Sequence, residues 1–561
     1  MSDIFKHRLV HEPVPLKFGT SGRRGRVADL TQLEVYLNAL GELQYLQSLP
    51  IEAGGIRKGD EFFYAYDLRP SSTRYVPDQR GRGELAQAVE AAIIHARMKP
   101  VNLGAIPTPA LAFHALQRGR GSMMITGSHI PFDRNGYKTN SARGELLKCE
   151  EAPIQERVAL VREFLYGQPF SHSLFDESGC FKAGHRKLLV ESAAGRDGYL
   201  RRYLDFFAGR SLQGMRLLVY QHSAVGRDLL VEILKAFGAT VVSAGRSDSF
   251  VPIDTENIDA EQLATIQLLA DEAGELDAVV STDGDSDRPL VLGVEEERVR
   301  FFGGDLLGML VAEFLGADSV VVPISCNDAI DRGPLRALLE PKTRIGSPYV
   351  IAGMEAARSK GKRAICGWEA NGGFLTGSDF KKQGRVLAAL PTRDAFLPIL
   401  AVLFAAAEQR CPLSQVFALL PARFSRAALL KNFPRATSEA ILRRFSSVNP
   451  AARDVYFESE KTSIRDEVGE VLPLDPQVNS TRMDLERIFS ANEGFGRIAS
   501  LNYTDGLRIY FANGDVAHVR PSGNADELRI YAVADSQDRA DQIAALGVAE
   551  PDGILRRLER A

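Results

Sequence analysis

Short apolar runs alternate with amphipathic stretches along most of this chain, and the spacing predicts strands and helices in turn. LLVY (217–220) reads as a strand. An amphipathic helical pattern follows over 227–237 and stops at Gly238, and ATVVS (239–243) is strand-like again. AVV (278–280) and SVVVP (319–323) repeat the short, doubly buried type. This β-α-β alternation predicts largely parallel sheets covered by helices, with ligand loops beyond the carboxyl ends of strands. The longest apolar run, AFLPILAVLFAAA (395–407), falls short of the ~18–20 residues that a membrane span needs. It predicts a buried core helix, with Thr392 as its cap, Asp394 in its first turn and Pro398 early.

The pattern changes past 419–424. Residues 437–445 read as a helix, whereas 507–511, 516–519 and 528–531 read as short strands. The stretch ANGD (512–515) contains an Asn-Gly hairpin turn. The last ~140 residues therefore predict an α+β domain distinct from the α/β part. Composition also shifts near 179–195.

The chain has 561 residues, enough for roughly three to four domains. Hydrophobic residues are 45%, charged residues 25%, and the net charge is −4 with both signs mixed. This is the balance of a globular protein, and it gives no basis for nucleic-acid or membrane partners. The five cysteines are scattered without a CxxC pair, which predicts a reducing compartment. MSDIFKHRLVHEP at the start has no apolar core for a signal peptide. A cytoplasmic location is expected.

Five loops carry candidate chemistry. DGDSDRP (283–289) follows an apolar run and places Asp283, Asp285 and Asp287 on alternate positions. Both a cation site and a solvated acidic turn fit it. Hard oxygen ligands suit Mg²⁺ shared with a phosphate. An EF-hand is set aside because its glycine and glutamate positions hold Arg288 and Val294. MMITGSHIPFDRNGYK (123–138) turns at Gly127 and exposes Ser128 beside His129, as a nucleophile or as a plain turn. It is not a G-x-S-x-G elbow. FGTSGRRGR (18–26) has the glycines, hydroxyls and arginines of a phosphate-contacting loop or of a basic turn. GWEANGGF (367–374) offers Glu369 and Asn371, whose groups suit vicinal sugar hydroxyls. Trp368 fits packing or a sugar platform. RPSGNADELRIY (520–531) offers Arg520, Ser522, the backbone around Gly523, Asn524 and Arg529, a set that suits a phosphate dianion.

Together, and in this order, the five loops resemble the α-D-phosphohexomutase superfamily over 18–531. The resemblance implies three similar mixed α/β domains with largely parallel sheets, plus a C-terminal α+β domain, around a central cleft. The expected domains are 1–185 with the phosphoserine loop, 186–302 with the metal loop, 303–420 with the sugar loop and 421–561 with the phosphate loop. Ser128 matches the phosphorylated serine. Asp283, Asp285 and Asp287 match the metal ligands, with Ser128 completing the set, and Arg288 matches the arginine after them. Lys138 matches a lysine implicated in proton transfer, Arg24 the arginine of the N-terminal loop, and Asp67 and Arg69 a further motif of structural character. Glu369 and Asn371 fall in the sugar loop, and Arg520, Ser522, Gly523, Asn524 and Arg529 in the phosphate loop. The chain departs from the family pattern at Gly127, Ile130, Ser286, Trp368, Asn371 and Asn524–Asp526.

The implied activity is a phosphohexomutase that interconverts hexose 1- and 6-phosphates. It works through phosphorylated Ser128, Mg²⁺ and a hexose 1,6-bisphosphate that is both intermediate and activator. Arg288, Arg24 and His129 would assist the cation in offsetting charge at the transferred group, and Lys138 would take or give the hydroxyl proton. Mannose phosphate is the first expectation; glucose phosphate is the alternative, followed by glucosamine or N-acetylglucosamine phosphate. A metal-dependent phosphatase with an aspartate nucleophile and a silent sugar-phosphate sensor are the readings from other classes. The expected partner is a small sugar phosphate, with the chain a monomer or homodimer.

Overall fold

The computed structural model describes residues 3–256, 258–458, 461–522 and 526–561. They divide into two compact units, Met1–Val321 with Gly346–Phe417, and Val322–Ile345 with Ala418–Ala561.

Among the described residues the first unit contains three principal sheets, all mixed. In the first, Glu61–Tyr66 lies parallel to Lys99–Ala105 and to Ser122–Ile125, and Arg134–Ser141 runs antiparallel beside Ser122–Ile125. In the second, Arg216–His222 lies parallel to both Thr240–Arg246 and Ala278–Thr282, and Pro289–Glu295 runs back antiparallel to Ala278–Thr282. In the third, Ser319–Val321 lies parallel to Ile365–Trp368, followed by antiparallel Phe374–Thr376 and Leu390–Asp394. Every residue of Ala278–Thr282 is buried, which is why its sequence shows a continuous apolar run rather than alternation. The helix Arg227–Ala236 buries Leu229, Leu230, Ile233 and Leu234 on one face. It ends where Gly238 takes φ +90°, a left-handed conformation that glycine enters without a Cβ penalty.

The apolar run near 400 forms the helix Phe396–Gln409, buried on all sides over its first nine residues. No helix of the described residues is long and apolar enough to cross a membrane. The expected cap is corrected. Thr392 and Asp394 belong to the preceding strand Leu390–Asp394, and the Thr392 hydroxyl donates to Glu145 at 2.5 Å. Asp394 supplies the cap instead, accepting from the Phe396 N–H at 3.0 Å. Pairing with Phe374–Thr376 claims the backbone that local sequence assigns to the helix start.

The second unit is built on an antiparallel sheet in which Glu527–Ala534 lies between Phe424–Lys431 and Val516–Pro521, followed by Leu507–Phe511 and Ile498–Asn502. The Asn-Gly turn joins Leu507–Phe511 to Val516–Pro521, with Gly514 at φ +89°. The segment Val322–Ile345 is tied into this unit by buried Arg423. That guanidinium holds Asp328 through Nε at 2.6 Å and Nη2 at 2.9 Å.

Trp368 proves to be a packing residue. It is 1% exposed, lies parallel to Phe374 with ring centroids 5.9 Å apart, and covers Gly308 so closely that a Cβ there would lie 2.3 Å from the indole Cγ. Gly308→Ala should therefore lower stability by about 1–3 kcal/mol despite alanine's better helix propensity. Denaturant unfolding of the two proteins checks it.

Candidate active site

The strand Ser122–Ile125 delivers Thr126, Gly127 and Ser128 to its carboxyl end. Asp67 organises this loop: its Oδ2 accepts from the Thr126 hydroxyl at 2.8 Å and the Gly127 N–H at 3.3 Å. The Thr126 hydroxyl oxygen in turn accepts from the Ser128 N–H at 2.7 Å. Ser128 sits at φ +54°, a conformation that costs a non-glycine residue energy and persists only when the surroundings fix it. Arg69 fixes it. Its buried guanidinium donates to the carbonyls of Ser128 at 2.9 Å, Pro131 at 2.8 Å and Arg134 at 3.0 Å, and also to that of Ile130. The ring of Phe250 lies 3.6 Å from its Cζ. Gly127 is the departure this packing accounts for, since a Cβ there would lie 2.5 Å from Arg69 Nε.

The aspartate loop begins where Ala278–Thr282 ends. The Asp283 N–H donates to the Arg288 carbonyl at 3.0 Å, and Asp283 Oδ1 accepts from the N–H groups of Asp287 at 3.1 Å and Arg288 at 3.2 Å. Ser286 takes φ +57° at the tip, which explains why glycine suits this position. Its hydroxyl accepts from the Gly226 N–H at 2.9 Å.

These two loops meet: Ser128 Oγ donates to Asp283 Oδ2 at 2.8 Å. One oxygen from each of Asp283, Asp285 and Asp287 lies within 4.8 Å of the others, and all three residues are buried. Lys138, on Arg134–Ser141, places Nζ 2.7 Å from Asp285 Oδ2 and 2.6 Å from Asp287 Oδ2. Thr108 donates its hydroxyl to the same Asp285 oxygen at 2.6 Å. Burial and the neighbouring carboxylates Asp285 and Asp287 push the Asp283 pKa well above the usual carboxylate range. At Asp285 burial acts upward too, but Lys138 and Thr108 outweigh it and hold the carboxyl below that range.

Asp285 Oδ1 and Asp287 Oδ1 are buried with no hydrogen-bond partner among the described residues. Buried acceptors are rarely left so. Two carboxylates that each give one oxygen to cationic side chains and keep the other free, beside a third, fit a hard divalent cation.

Arg288 stands further back, its Nε 4.0 Å from Asp283 Oδ2 and 3.8 Å from Asp287 Oδ1. Arg24 donates Nη1 to the carbonyls of Arg23 at 2.8 Å and Tyr137 at 3.2 Å. Burial, with Arg69 and Arg393 near it, pulls its pKa down to about 10 against the attraction of Asp285 and Asp287. His129 is half-buried beside Ser128. Glu369 is buried, its Oε2 accepting from Arg393 Nη1 at 2.8 Å. Asn371 Oδ1 accepts from the Gly373 N–H at 2.9 Å, which fixes the side chain against its own turn. Arg393 and Thr108 are absent from the residues picked out by sequence motifs. An arginine in TRD, directly before an apolar helix, was the available signal for the first.

In the second unit, Arg520 and Arg529 face each other across paired strands. Like charges in that register repel, and Asp505 and Glu527 flank them at 3.5 and 3.1 Å. Ser522 is buried and its N–H donates to the Glu527 carbonyl at 2.9 Å. Gly523 and Asn524 lie outside the described residues.

Four domain descriptions of one family match the sequence in order. Phosphoglucomutase/phosphomannomutase alpha/beta/alpha domain I covers 15–161, domain II 198–295, domain III 303–424 and the C-terminal domain 478–547. The chain belongs to the phosphoglucomutase/phosphomannomutase family. A phosphomannomutase of Sinorhizobium fredii is 36% identical over 95% of this chain and 98% of its own length. One of Salmonella muenchen is 35% identical over 97% of both. The crystal structure of a phosphoglucomutase/phosphomannomutase family protein from Burkholderia thailandensis superposes with a TM-score of 0.61 at 18% identity, covering 96% of this chain and 97% of that one. The domain I match includes Ser128 and Lys138, the domain II match the three aspartates, the domain III match Glu369 and Arg393, and the C-terminal match Arg520 and Arg529.

Behind the aspartate loop of this family member, buried His222 donates Nε2 to the Thr282 carbonyl at 2.8 Å, and its Nδ1 has no hydrogen-bond partner among the described residues. Burial, with Arg227 adding to it, pushes its pKa down from 6.5 to about 4. The unfolded chain therefore takes up a proton that the folded chain refuses. The His222 contribution to stability should fall as pH drops from about 6.5 to about 4 and then level off, a loss of about 3 kcal/mol. Denaturant unfolding across this range checks it, with His222→Gln expected to flatten the slope.

Proposed function

We propose that this chain is a phosphohexomutase that interconverts hexose 1-phosphate and hexose 6-phosphate, with mannose phosphate as the first substrate. The observation that carries the reading is the Ser128 hydroxyl, 2.8 Å from Asp283 within a buried triad that keeps two carboxylate oxygens free. The full-length relatives named phosphomannomutase support the choice of sugar. Among metal-dependent phosphatases an aspartate would be the nucleophile. Here a serine hydroxyl reaches the triad, and the arginine pair at Arg520 and Arg529 suits a substrate phosphate.

Ser128 in its phosphorylated form passes the phosphoryl group to the free hydroxyl of a hexose monophosphate. A hexose 1,6-bisphosphate results, and its other phosphoryl group returns to Ser128 after the sugar turns over. Asp283, Asp285 and Asp287, with phosphorylated Ser128, would hold Mg²⁺, which would supply neutralisation of the charge on the transferred group. Lys138 exchanges the proton of the attacking or leaving hydroxyl. Arg288, Arg24 and His129 contribute positive charge and hydrogen bonds around the transferred group. Glu369 and the Asn371 amide orient the sugar hydroxyls. Arg520, Ser522 and Arg529, with Gly523 and Asn524, hold the phosphate that is not being transferred. Among the described residues no cysteine is in a disulfide, which suits work in the cytoplasm.

An assay of mannose 1-phosphate conversion to the 6-phosphate, with Mg²⁺ and catalytic bisphosphate supplied, tests the reading. Ser128→Ala should abolish turnover, and phosphate recovered on Asp283 or Asp285 rather than Ser128 would point to the phosphatase instead. Arg520→Ala should chiefly raise KM. Its loss in kcat/KM should be about 1.5–3 kcal/mol, roughly ten- to hundredfold, the scale of one charge-assisted contact.

A further inference from the structure

Arg393 is 3% exposed and holds two carboxylates at once. Its Nε and Nη2 donate to Asp287 Oδ2 at 3.1 and 2.9 Å, and its Nη1 donates to Glu369 Oε2 at 2.8 Å. The stem passes over Gly373, where a Cβ would lie 2.6–2.9 Å from Arg393 Cδ, Cγ and Cβ. A side chain at that glycine would close the route. Lys138 Nζ meets the same Asp287 oxygen at 2.6 Å. Two cations therefore converge on Oδ2, while Oδ1 of the same carboxylate keeps no hydrogen-bond partner among the described residues, with Arg288 Nε standing off at 3.8 Å.

We propose that Arg393 is a positioning residue that couples the sugar-side carboxylate Glu369 to the cation-side carboxylate Asp287. The inference rests on the reading above, in which Asp287 is a metal ligand and Glu369 a sugar ligand. The fork holds the Asp287 carboxylate so that Oδ1 is left for the cation, and its other arm sets Glu369. One guanidinium charge is shared by two anions. When Glu369 loses its charge, more of the guanidinium's positive charge is left uncompensated beside Asp287, and a divalent cation binds there less well. By linkage, whatever changes the Arg393–Glu369 contact changes cation affinity, and cation binding acts back on Glu369 equally. Lysine cannot replace this arginine in kind, because an ammonium is a point charge and not a planar fork.

The experiment is a calorimetric Mg²⁺ titration of the full-length, unphosphorylated protein without sugar. E369Q, which alters no metal ligand, should weaken Mg²⁺ threefold or more. R393K should weaken it as well, and E369Q added to R393K should change it no further. An equal effect of E369Q with and without R393K, or no effect of E369Q in the native background, would overturn the proposal. Should R393K fail to fold, E369Q alone decides, since unchanged Mg²⁺ affinity ends the coupling. D287N separates this from the underlying reading: if D287N keeps native Mg²⁺ affinity, the ligand assignment is what fails.

Discussion

Three buried carboxylates with oxygens within 4.8 Å of one another are the constraint around which the first unit is arranged. Two like charges at such a separation repel by about 3 kcal/mol at an effective dielectric near 20, and burial adds a desolvation penalty to each. No single loop offsets this. Lys138 comes from the first sheet, the aspartates and Arg288 from the second, and Arg393 from the third, with hydroxyls from Thr108 and Ser128. Side chains spread over more than 280 positions, from Thr108 to Arg393, meet because the triad is tolerable only where all of them converge.

The nucleophile candidate is held by a different device. Arg69 binds the main chain of its loop through four carbonyls, and Asp67 binds the amide and hydroxyl side. Ser128 keeps its left-handed backbone because these partners over-determine it, which leaves the hydroxyl directed at Asp283 rather than spent on the turn. The same packing makes Gly127 intelligible: the guanidinium occupies the space where a Cβ would point.

Features that depend on near neighbours were legible in the sequence. The strands around 217–222, 240–246 and 278–282 and the helix between the first two follow from local periodicity, as does the Asn-Gly hairpin. The D-x-D-x-D run was legible because its members are two residues apart. Features set by distant partners were not. Thr392 looked like a helix cap, yet a strand ladder claims its backbone and Glu145 its hydroxyl. Trp368 stood open between packing and ligand contact until Gly308 and Phe374 closed over it. Arg393 carried no motif, because its partners Asp287 and Glu369 lie 106 and 24 positions away.

Arg393 and Lys138 also differ in what they do to Asp287, although both are cations on one oxygen. Lys138 is shared with Asp285, so its charge serves the triad as a whole. Arg393 is shared with Glu369, so its charge links the triad to a carboxylate outside it. A site built only to lower the repulsion among three aspartates would need the first and not the second. The second makes sense where the state of one loop has to be felt by another, and a planar fork with donors on two edges is the side chain whose geometry allows it.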